Sequence, residues 1–590
     1  MNSALRSLCI SRSRPLITPG ILVLTFVISV SSQTATSQES HPKLDPAVRY
    51  ALEQATDTST VAVIITATAG RFAGMRADVL ATGNSIAAEH RFIDSLSARL
   101  RASDIRALET DGAVAHVSLD HVVRSTAAAP TTPSAPTAGG PVDAVLLSTL
   151  GLTSASITGK GVGVAVIDSG LQPSTELPAF AFLDFTNKPV ATAAYDDYGH
   201  GTHISGLIRA SGTTTNPRAS NSMVGVAPGV RLISMKVLDS TGQGYTSRVL
   251  TALESVLTNR GSLGIDVVNL SLGHPITEPG ATDPLVQAVE ALSRKGIVIV
   301  AAAGNFGRNP VTGVTAYAGI TSPGNAASAV TVGALDSNDT VIRSDDGVAT
   351  YSSRGPTWYD GRIKPDVVAP GHNLVSLAAL GSSLYTSFPE QRVADAAGAA
   401  RFLRLSGTSM ATAVTTGVVA LMIEQHRKVS SLPLTPNDVK AVLQFTAIPV
   451  SGTDILTQGA GALNPPGALS LVAVLNGKAT TDLRSTTVLQ PMTTIGSETC
   501  IWNQGVIWGH SVVTGNTVYA NEPAWGSLTT WGSAVIWGHG LVGQGDLLWD
   551  SASTWSMNTV WDPLIAPSSA GVAWPDLGGQ GVIWGHGGPY

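Results

Sequence analysis

Cysteine is almost absent from this chain of 590 residues, which contains only two. Cys9 lies in an N-terminal segment that we expect to be removed, so Cys500 would have no partner for an internal disulfide. An exported protein of this composition must then be stabilised by packing and by any bound ions.

Charged residues are also scarce. They make up 13% of the sequence and leave a formal net charge of −6, with no basic cluster. This composition argues against nucleic acid as a partner. No apolar run of transmembrane length follows the N-terminal segment. The hydrophobic content of 43% is enough for a large core and for several domains.

The N-terminal segment has the pattern of a secretory signal. Arg6, Arg12 and Arg14 precede an apolar run at 21–30, and small residues follow that run. A membrane anchor is the alternative, but it needs about 20 apolar residues and this run is shorter. We therefore predict a signal peptide over 1–35 and a secreted protein, either extracellular or associated with the cell surface.

Three separate stretches carry side chains suited to acid–base and nucleophilic chemistry. Ser409 follows a glycine turn at the start of an apolar stretch that predicts a helix from about Met410 to Glu424. Asp168 ends the apolar run 162–167, which is typical of a strand buried on both faces. His200 begins a second predicted helix, in Gly-His-Gly-Thr-His. Taken singly, each residue could be structural, and a serine at a helix start is often only a cap.

Together the three residues can form a nucleophile, a base and an orienting carboxylate. A serine hydroxyl needs a base, and the imidazole needs a carboxylate that fixes its tautomer. The chain order of Asp168, His200 and Ser409 is the order found in subtilisins, and the G-x-S-x-G elbow is missing around the serine.

The chain resembles the subtilisin-like (subtilase) serine peptidase family over about residues 150–475. The resemblance rests on a series of motifs in the same order: Val166-Ile167-Asp168-Ser169-Gly170, His200-Gly201-Thr202-His203, Gly225-Val226-Ala227-Pro228, Asn269-Leu270-Ser271-Leu272-Gly273, Ala301-Ala302-Ala303-Gly304-Asn305, Tyr351-Ser352-Ser353-Arg354-Gly355-Pro356, the run 364–371 and Gly407-Thr408-Ser409-Met410-Ala411. Each motif alone is weak, but the ordered series is specific.

The resemblance implies roles for residues outside the triad. Asn305 and the backbone N–H of Ser409 would form the oxyanion hole. Two segments would wall the substrate pocket and pair with an extended peptide: Ser271, Leu272 and Gly273, and Ala302, Ala303 and Gly304. No cofactor is required for catalysis, and a structural calcium ion is compatible with the family. The long stretch 380–404 departs from the family pattern, and we expect it to rim the cleft.

Strands and helices alternate through the region of resemblance. This alternation predicts an α/β catalytic domain over 142–476 with a doubly wound, mainly parallel sheet. The stretch 42–125 predicts a small α+β domain, with strands at 61–65 and 114–123 and helices at 90–100 and 105–108. By resemblance this domain is an inhibitory prodomain, and a generic N-terminal domain is the alternative. The segment 126–141 is rich in Ala, Thr, Pro, Ser and Gly and predicts an exposed linker.

The C-terminal region has a different composition. Ten of the eleven tryptophans lie from Trp502 onward, and many recur every six residues. An even spacing places them on one face of an extended chain, so we predict a β-rich repeat tail over 480–590. The tryptophans form either a stacked aromatic core or a row that binds a glycan or another polymer.

The sequence therefore predicts a secreted serine endopeptidase, made as a self-processing zymogen. Its expected partners are protein or peptide substrates, its own prodomain as an inhibitor, and a cell-surface or glycan ligand for the tail. Two alternatives remain open at this point. A sedolisin-like peptidase would use a glutamate base, and an adhesion protein would act through the tryptophan-rich tail.

Overall fold

The computed structural model describes residues 43–125, 144–153, 156–186, 193–212, 223–308, 315–395, 397–475, 490–508, 511–514 and 517–520. The predicted signal peptide, the linker 126–141 and most of the tryptophan-rich tail lie outside the described residues. Within the described ranges, no helix combines the length and the apolar character needed to cross a bilayer.

Residues 43–125, called here the N-terminal part, form an antiparallel sheet in the order β2-β3-β1-β4 with helices packed against it. Its elements are α1 (Pro46–Glu53), β1 (Thr60–Ala67), α2 (Phe72–Ala81), β2 (Ile86–His90), β3 (Ser95–Arg101), α3 (Ala102–Leu108), β4 (Val114–Leu119) and β5 (Val122–Ser125). The predicted α+β architecture is therefore present.

The helix predicted at 90–100 is wrong, because β2 ends at His90 and β3 begins at Ser95. Residues 95–98 are all buried, and from Ala98 to Arg101 buried and exposed residues alternate with the two-residue period of a strand. Leu96 and Leu100 are also four residues apart, a spacing that fits a helix equally well. The segment is a strand rather than a helix because it pairs with β1 on one side and β2 on the other.

Residues 144–475, the main part, alternate strands and helices as predicted. The elements before residue 323 are α4 (Ala144–Thr149), β6 (Gly163–Asp168), β7 (Ala181–Asp184), α5 (His200–Arg209), β8 (Arg231–Lys236), β9 (Gln243–Tyr245), α6 (Thr246–Leu263), β10 (Ile265–Leu270), β11 (Leu272–Pro275), α7 (Pro284–Arg294), β12 (Val298–Ala302) and β13 (Thr321–Ser322). The remaining elements are β14 (Val330–Asp336), β15 (Gly347–Val348), β16 (Val367–Pro370), β17 (Leu374–Leu377), α8 (Ser383–Ser387), β18 (Arg392–Ala394), β19 (Ala400–Leu405), α9 (Thr408–Val429), α10 (Pro436–Thr446), α11 (Ile455–Gln458) and α12 (Pro465–Val474).

The central sheet has eight strands in the order β15-β14-β12-β10-β6-β8-β7, with β16 also paired to β14. All pairs are parallel except β14 with β15. Both faces are covered: Val164 and Val166 of β6 pack with α5 and α9, whereas Ala165 and Ile167 pack with α6 and α7. Burial on both faces explains why the run at 162–167 is continuously apolar. The doubly wound, mainly parallel sheet is confirmed.

The N-terminal part contacts the main part through β5. This strand lies between β11 and β9 and pairs antiparallel with both. Ser125 lies opposite Leu272, and Arg124 lies opposite Gly273. The last described residues before the 126–141 segment are therefore an added strand on the main part.

The first described residues after 475 also pack on the main part. They form the hairpin β20 (Met492–Ile495) and β21 (Glu498–Ile501), followed by β22 (Gly505–Trp508), β23 (Ser511–Thr514) and β24 (Thr517–Ala520). Trp502 is buried in the main core, meets Phe445 edge to face, and donates from Nε1 to Thr493 Oγ1 at 2.7 Å. The start of the predicted tail is thus continuous with the core of the main part.

Candidate active site

Asp168 and His200 are in direct contact at the carboxyl end of the central sheet. Asp168 is the last residue of β6, His200 is the first residue of α5, and both are fully buried. The His200 Nδ1 atom lies 2.8 Å from one oxygen of Asp168 and 2.9 Å from the other. Because a carboxylate only accepts hydrogen bonds, this contact places the proton of a neutral imidazole on Nδ1. The Nε2 atom is then the one that can accept a proton.

The loop before His200 is shaped by a residue that the sequence analysis did not single out. The Asp196 carboxylate accepts hydrogen bonds from the Ser169 hydroxyl, the Gly199 N–H, and the N–H and hydroxyl of Thr202. These bonds join the residue after Asp168 to the first turn of α5. Asp196 therefore fixes the position of His200 relative to Asp168.

Gly199 is required immediately before His200. Its φ is +102°, in the left-handed region, and an added Cβ would lie 2.4 Å from Ser382 Oγ. Ser382 precedes α8, in the stretch 380–404 that departs from the family pattern. Leu384 of the same stretch donates its N–H to the Tyr198 carbonyl at 3.0 Å. The stretch thus borders the loop that presents His200.

Ser409 lies in the first turn of α9, which packs directly against α5. Its hydroxyl donates to the Ser271 carbonyl at 3.1 Å, and its side chain is fully buried. The His200 Nε2 atom is also buried and has no hydrogen-bond partner among the described residues. Hydrogen bonds between a catalytic base and its nucleophile are often long or absent until substrate binds.

A chain of buried side chains ties Ser409 to the sheet. Thr416 donates to Asn269 Oδ1 at 2.9 Å, and Asn269 Nδ2 donates to the Ser271 hydroxyl at 2.9 Å. The Ser271 hydroxyl in turn donates to the Ser409 carbonyl at 3.1 Å. The chain runs from α9 through β10 and back to α9, so it holds the start of the helix against the strand.

Asn305 is oriented by the residue before Ser409. Its Oδ1 atom accepts from the Thr408 N–H at 3.0 Å and from the Thr408 hydroxyl at 3.1 Å. The Thr408 hydroxyl also accepts from the Gly304 N–H at 3.2 Å. These contacts fix which way the Asn305 amide is turned, because its oxygen lies against Thr408 and Nδ2 is its donor end. Thr408 was missed as a positioning residue because a threonine beside a helix start usually signifies a cap.

The two segments expected to wall the substrate pocket occupy different positions. Leu272 and Gly273 lie on β11, where they face β5, and Ser271 precedes them. Ala302 ends β12, and the Ala303 carbonyl accepts from the Thr321 N–H at 3.0 Å. Gly304 is held by Thr408 as described above. Both segments therefore contact the start of α9. Ser271 is hydrogen-bonded to Ser409, and Gly304 is hydrogen-bonded to Thr408.

His203, the second histidine of the motif, has a structural role. It is buried, and its Nε2 atom faces the carbonyl oxygens of Leu374 and Leu403 at 3.2 and 3.0 Å. Burial and the neighbouring His200 lower the pKa of His203 to about 3, so its ring is neutral. A neutral ring there adds no second base to the site.

Among the described residues, no group of three or more His, Cys, Asp or Glu side chains is placed to hold a metal ion. The expectation of a structural calcium ion stays a prediction. Asp168, His200, Asn305 and Ser409 are positioned by hydrogen bonds within the chain.

The chain is similar to known proteins. Residues 159–483, more than half of the chain, match the subtilase family. Serine protease AprX of Bacillus subtilis (strain 168) is 38% identical over 316 residues, which are 52% of this chain and 66% of AprX. The chain thus spans slightly less than two thirds of that relative.

Two further similarities extend the comparison. An alkaline protease of Alkalihalobacillus alcalophilus is 31% identical over 380 residues, which cover 64% of this chain and 80% of that protein. The crystal structure of fervidolysin from Fervidobacterium pennivorans aligns with a TM-score of 0.52 at 19% identity, over 70% of this chain and 61% of fervidolysin. The latter similarity is one of fold.

Proposed function

Because the chain belongs to the subtilase family, we propose that it is a secreted serine endopeptidase that cleaves peptide bonds through an acyl-enzyme. The observation that carries this proposal is the contact between Asp168 and His200. Both carboxylate oxygens lie within 2.9 Å of Nδ1, while Nε2 has no partner among the described residues. A histidine held in this way is prepared to act as a general base.

In the proposed reaction, His200 Nε2 takes the proton of the Ser409 hydroxyl as Ser409 Oγ attacks the carbonyl carbon of the scissile peptide bond. His200 then gives that proton to the leaving amine, which departs and leaves an acyl group on Ser409. Water repeats the sequence, with His200 again as the base, and releases the second product. Asp168 remains ionised and stabilises the imidazolium form of His200.

The negative charge on the carbonyl oxygen would be stabilised by two donors. One is the Asn305 Nδ2 group, the donor end of an amide whose oxygen is held by Thr408. The other is the backbone N–H of Ser409, at the positive end of the helix dipole of α9. One such donor contributes about 3–4 kcal/mol to the stabilisation of the transition state in this class of reaction.

We infer that residues 42–125 act as a prodomain that inhibits the enzyme. Support comes from β5, which pairs with β11 and β9 in the manner of an extended substrate. The chain leaves β5 at Ser125, next to Leu272 and one residue from Ser271, whose carbonyl accepts the Ser409 hydroxyl. The zymogen would therefore cut itself within the first residues of the 126–141 segment.

Secretion and the tail remain parts of the same proposal. The signal pattern over 1–35 supports export, and substrates would be extracellular proteins or peptides. The tryptophan repeat beyond 520 would bind cell-surface material such as a glycan. The competing function is adhesion through this tail with little catalysis, and the geometry of Asp168 and His200 favours the enzyme.

A serine-directed fluorophosphonate probe tests the proposal directly. We expect the wild-type protein to be labelled and to hydrolyse peptides, and the Ser409→Ala protein to do neither. Ser406→Ala is the matched control, because Ser406 is also buried and accepts a structural hydrogen bond from the Asn373 N–H. Equal labelling of wild-type and Ser409→Ala proteins would rule out Ser409 as the nucleophile. Processing that proceeds identically in both proteins would rule out self-cleavage.

A further inference from the structure

Two histidine rings stack where the N-terminal part enters the cleft. His121, directly before β5, lies on His274 of β11 with ring centroids 4.5 Å apart and planes inclined by 15°. His274 follows Gly273, the residue that pairs with Arg124. His274 therefore belongs to a strand that lines the proposed substrate groove, and His121 lies three residues N-terminal to Arg124.

The surface beneath His121 is rigid. His274 is buried and donates from Nδ1 to the Pro275 carbonyl at 2.7 Å, which fixes the plane of its ring. The Thr277 hydroxyl lies 2.9 Å from His121 Nε2, and Thr277 itself is held by the Tyr359 hydroxyl, which donates to its carbonyl at 2.9 Å. His274 supplies a flat apolar face, and Thr277 supplies one hydrogen-bonding group at its edge.

The backbone of His121 is held in the same place. Its carbonyl accepts from the Thr246 N–H, at the start of α6, at 2.9 Å. The next residue, Val122, pairs with Tyr245 of β9. An extended peptide that follows β5 through the groove would consequently carry its corresponding side chain onto the His274 ring.

The surroundings select an uncharged ring. Burial, together with the adjacent His274, holds the pKa of His121 well below its ordinary value. Two protonated imidazoles stacked at this distance would repel each other. A neutral imidazole or an aromatic ring fits the same space without that repulsion.

We propose that His274 and Thr277 form an upstream specificity pocket of the mature enzyme, which accepts a neutral aromatic or imidazole side chain of the substrate. That side chain is three residues N-terminal to the one that pairs with Gly273. In the zymogen His121 fills the pocket, and its departure with the N-terminal part uncovers the ring face and the Thr277 hydroxyl. The inference rests on the proposed peptidase function and adds a substrate preference to it.

The test uses three peptides that copy residues 118–131 and differ only at the position of His121, which is His, Phe or Ala. The full chain is expressed and left to mature before kcat/KM is measured for each peptide. We expect the His and Phe peptides to be cleaved about three to ten times more efficiently than the Ala peptide, the gain typical of a stacked ring pair. In the His274→Ala enzyme, kcat/KM for the Phe peptide divided by kcat/KM for the Ala peptide should fall to about one, whatever the absolute rate.

Two variants locate the effect. Thr277→Val removes only the hydroxyl that contacts the imidazole. It should leave the ratio of kcat/KM between the Phe and Ala peptides unchanged, and it should lower the ratio of kcat/KM between the His and Phe peptides. Phe180→Ala is the matched control, since Phe180 is an exposed aromatic directly before β7, outside the two strands of the groove, and it should retain every ratio. Equal cleavage of all three wild-type peptides, or a Phe-to-Ala ratio that survives His274→Ala, would overturn the pocket.

Failure of the peptidase proposal gives a different result. In that case no peptide is cleaved, including the Ala peptide. The Ser409→Ala chain is then cut in the 126–141 segment by an added protease, and its N-terminal part is removed by gel filtration. The remaining main part reports the pocket through anisotropy of the labelled peptides. Tighter binding of the His and Phe peptides than of the Ala peptide supports the pocket, and equal binding overturns it.

Discussion

His116 of the N-terminal part and the buried Glu278 of the main part form an ion-pair contact, with Nε2 and Oε2 2.7 Å apart. Asp45 and Asp283 are buried nearby, so three carboxyl groups surround one imidazole at the contact between the proposed prodomain and the enzyme. This contact is therefore sensitive to protonation.

The first prediction is that the N-terminal part is bound less tightly as pH rises above about 6.5. Burial alone would lower the pKa of His116, but Glu278, with Asp45 and Asp283 behind it, raises that pKa above its ordinary value. A raised pKa means that the stabilising charge is complete below the ordinary value of 6.5 and is lost as pH rises through the raised value. Burial and Glu278 raise the pKa of Asp45 to about 7, so ionisation of Asp45 also weakens the contact as pH rises, mainly between its ordinary value of 3.8 and about 7.

His121 has the opposite effect on the pH dependence of binding. Because its pKa is lowered, protonation of His121 weakens the contact only as pH falls below 6.5, the ordinary pKa of histidine. Above pH 6.5 the effect of His116 therefore dominates. Gel filtration of the Ser409→Ala chain, cut in the 126–141 segment, should show affinity falling by about tenfold for each unit of pKa shift. His116→Gln should remove the histidine contribution, and a pH-independent complex would contradict the assignment.

The second prediction concerns Asp168. Asp168→Asn should lower kcat by about 10³–10⁴-fold without unfolding the protein, because an amide no longer fixes the His200 tautomer. The measurement is steady-state peptide hydrolysis together with the midpoint of thermal unfolding. Asp197→Asn is the control: Asp197 pairs with Lys236, has a side chain that is 40% exposed, and lies outside the proposed triad. Similar losses in the two variants would indicate a structural effect of charge removal.

The third prediction concerns the orientation of Asn305. Thr408→Val removes the hydroxyl that contacts both Asn305 Oδ1 and the Gly304 N–H, so kcat should fall by about tenfold with a smaller change in KM. Thr415→Val is a matched control in the same helix, since its buried hydroxyl donates to the Ala411 carbonyl of the preceding turn at 2.9 Å. The Thr415 variant should lose stability to a similar degree and retain kcat. Equal kcat in both variants would show that Thr408 does not position Asn305.

The fourth prediction concerns the start of the tail. Trp502→Ala should lower the free energy of unfolding by about 3–5 kcal/mol, because it leaves a cavity beside Phe445 and removes the hydrogen bond from the indole to the Thr493 hydroxyl. Ile501→Ala is the neighbouring control, because Ile501 is 65% exposed and should change stability by less than about 0.5 kcal/mol. Urea titration of both variants measures the difference.

Truncation extends the same test. A chain ending at Ala520 keeps Trp502 and the hairpin of β20 and β21, so it should fold and hydrolyse small peptides. A chain ending at Ala479 removes both and should unfold at a markedly lower temperature. Equal stability of the two chains would show that residues 490–508 are dispensable to the main core.

The sequence alone determined the order and character of the main elements. Short continuous apolar runs such as 162–167 are typical of strands covered on both faces, and their alternation with helical stretches predicted the doubly wound parallel sheet. The motifs around Asp168, His200 and Ser409 were equally visible, because each couples a reactive side chain to small neighbours at the end of an element. Their chain order pointed to the family to which the protein belongs.

Tertiary structure alone decided the rest. The segment 90–100 fits a helix or a strand by its apolar spacing, and only pairing with β1 and β2 made it a strand. Asp196 and Thr408 bond to residues at opposite ends of the site, and nothing in their local sequence distinguishes them from ordinary turn and cap residues. Trp502 belongs to the tryptophan repeat by its spacing, but its side chain packs in the core of the main part. Such packing depends on contacts between residues far apart in the chain, and sequence periodicity does not reveal those contacts.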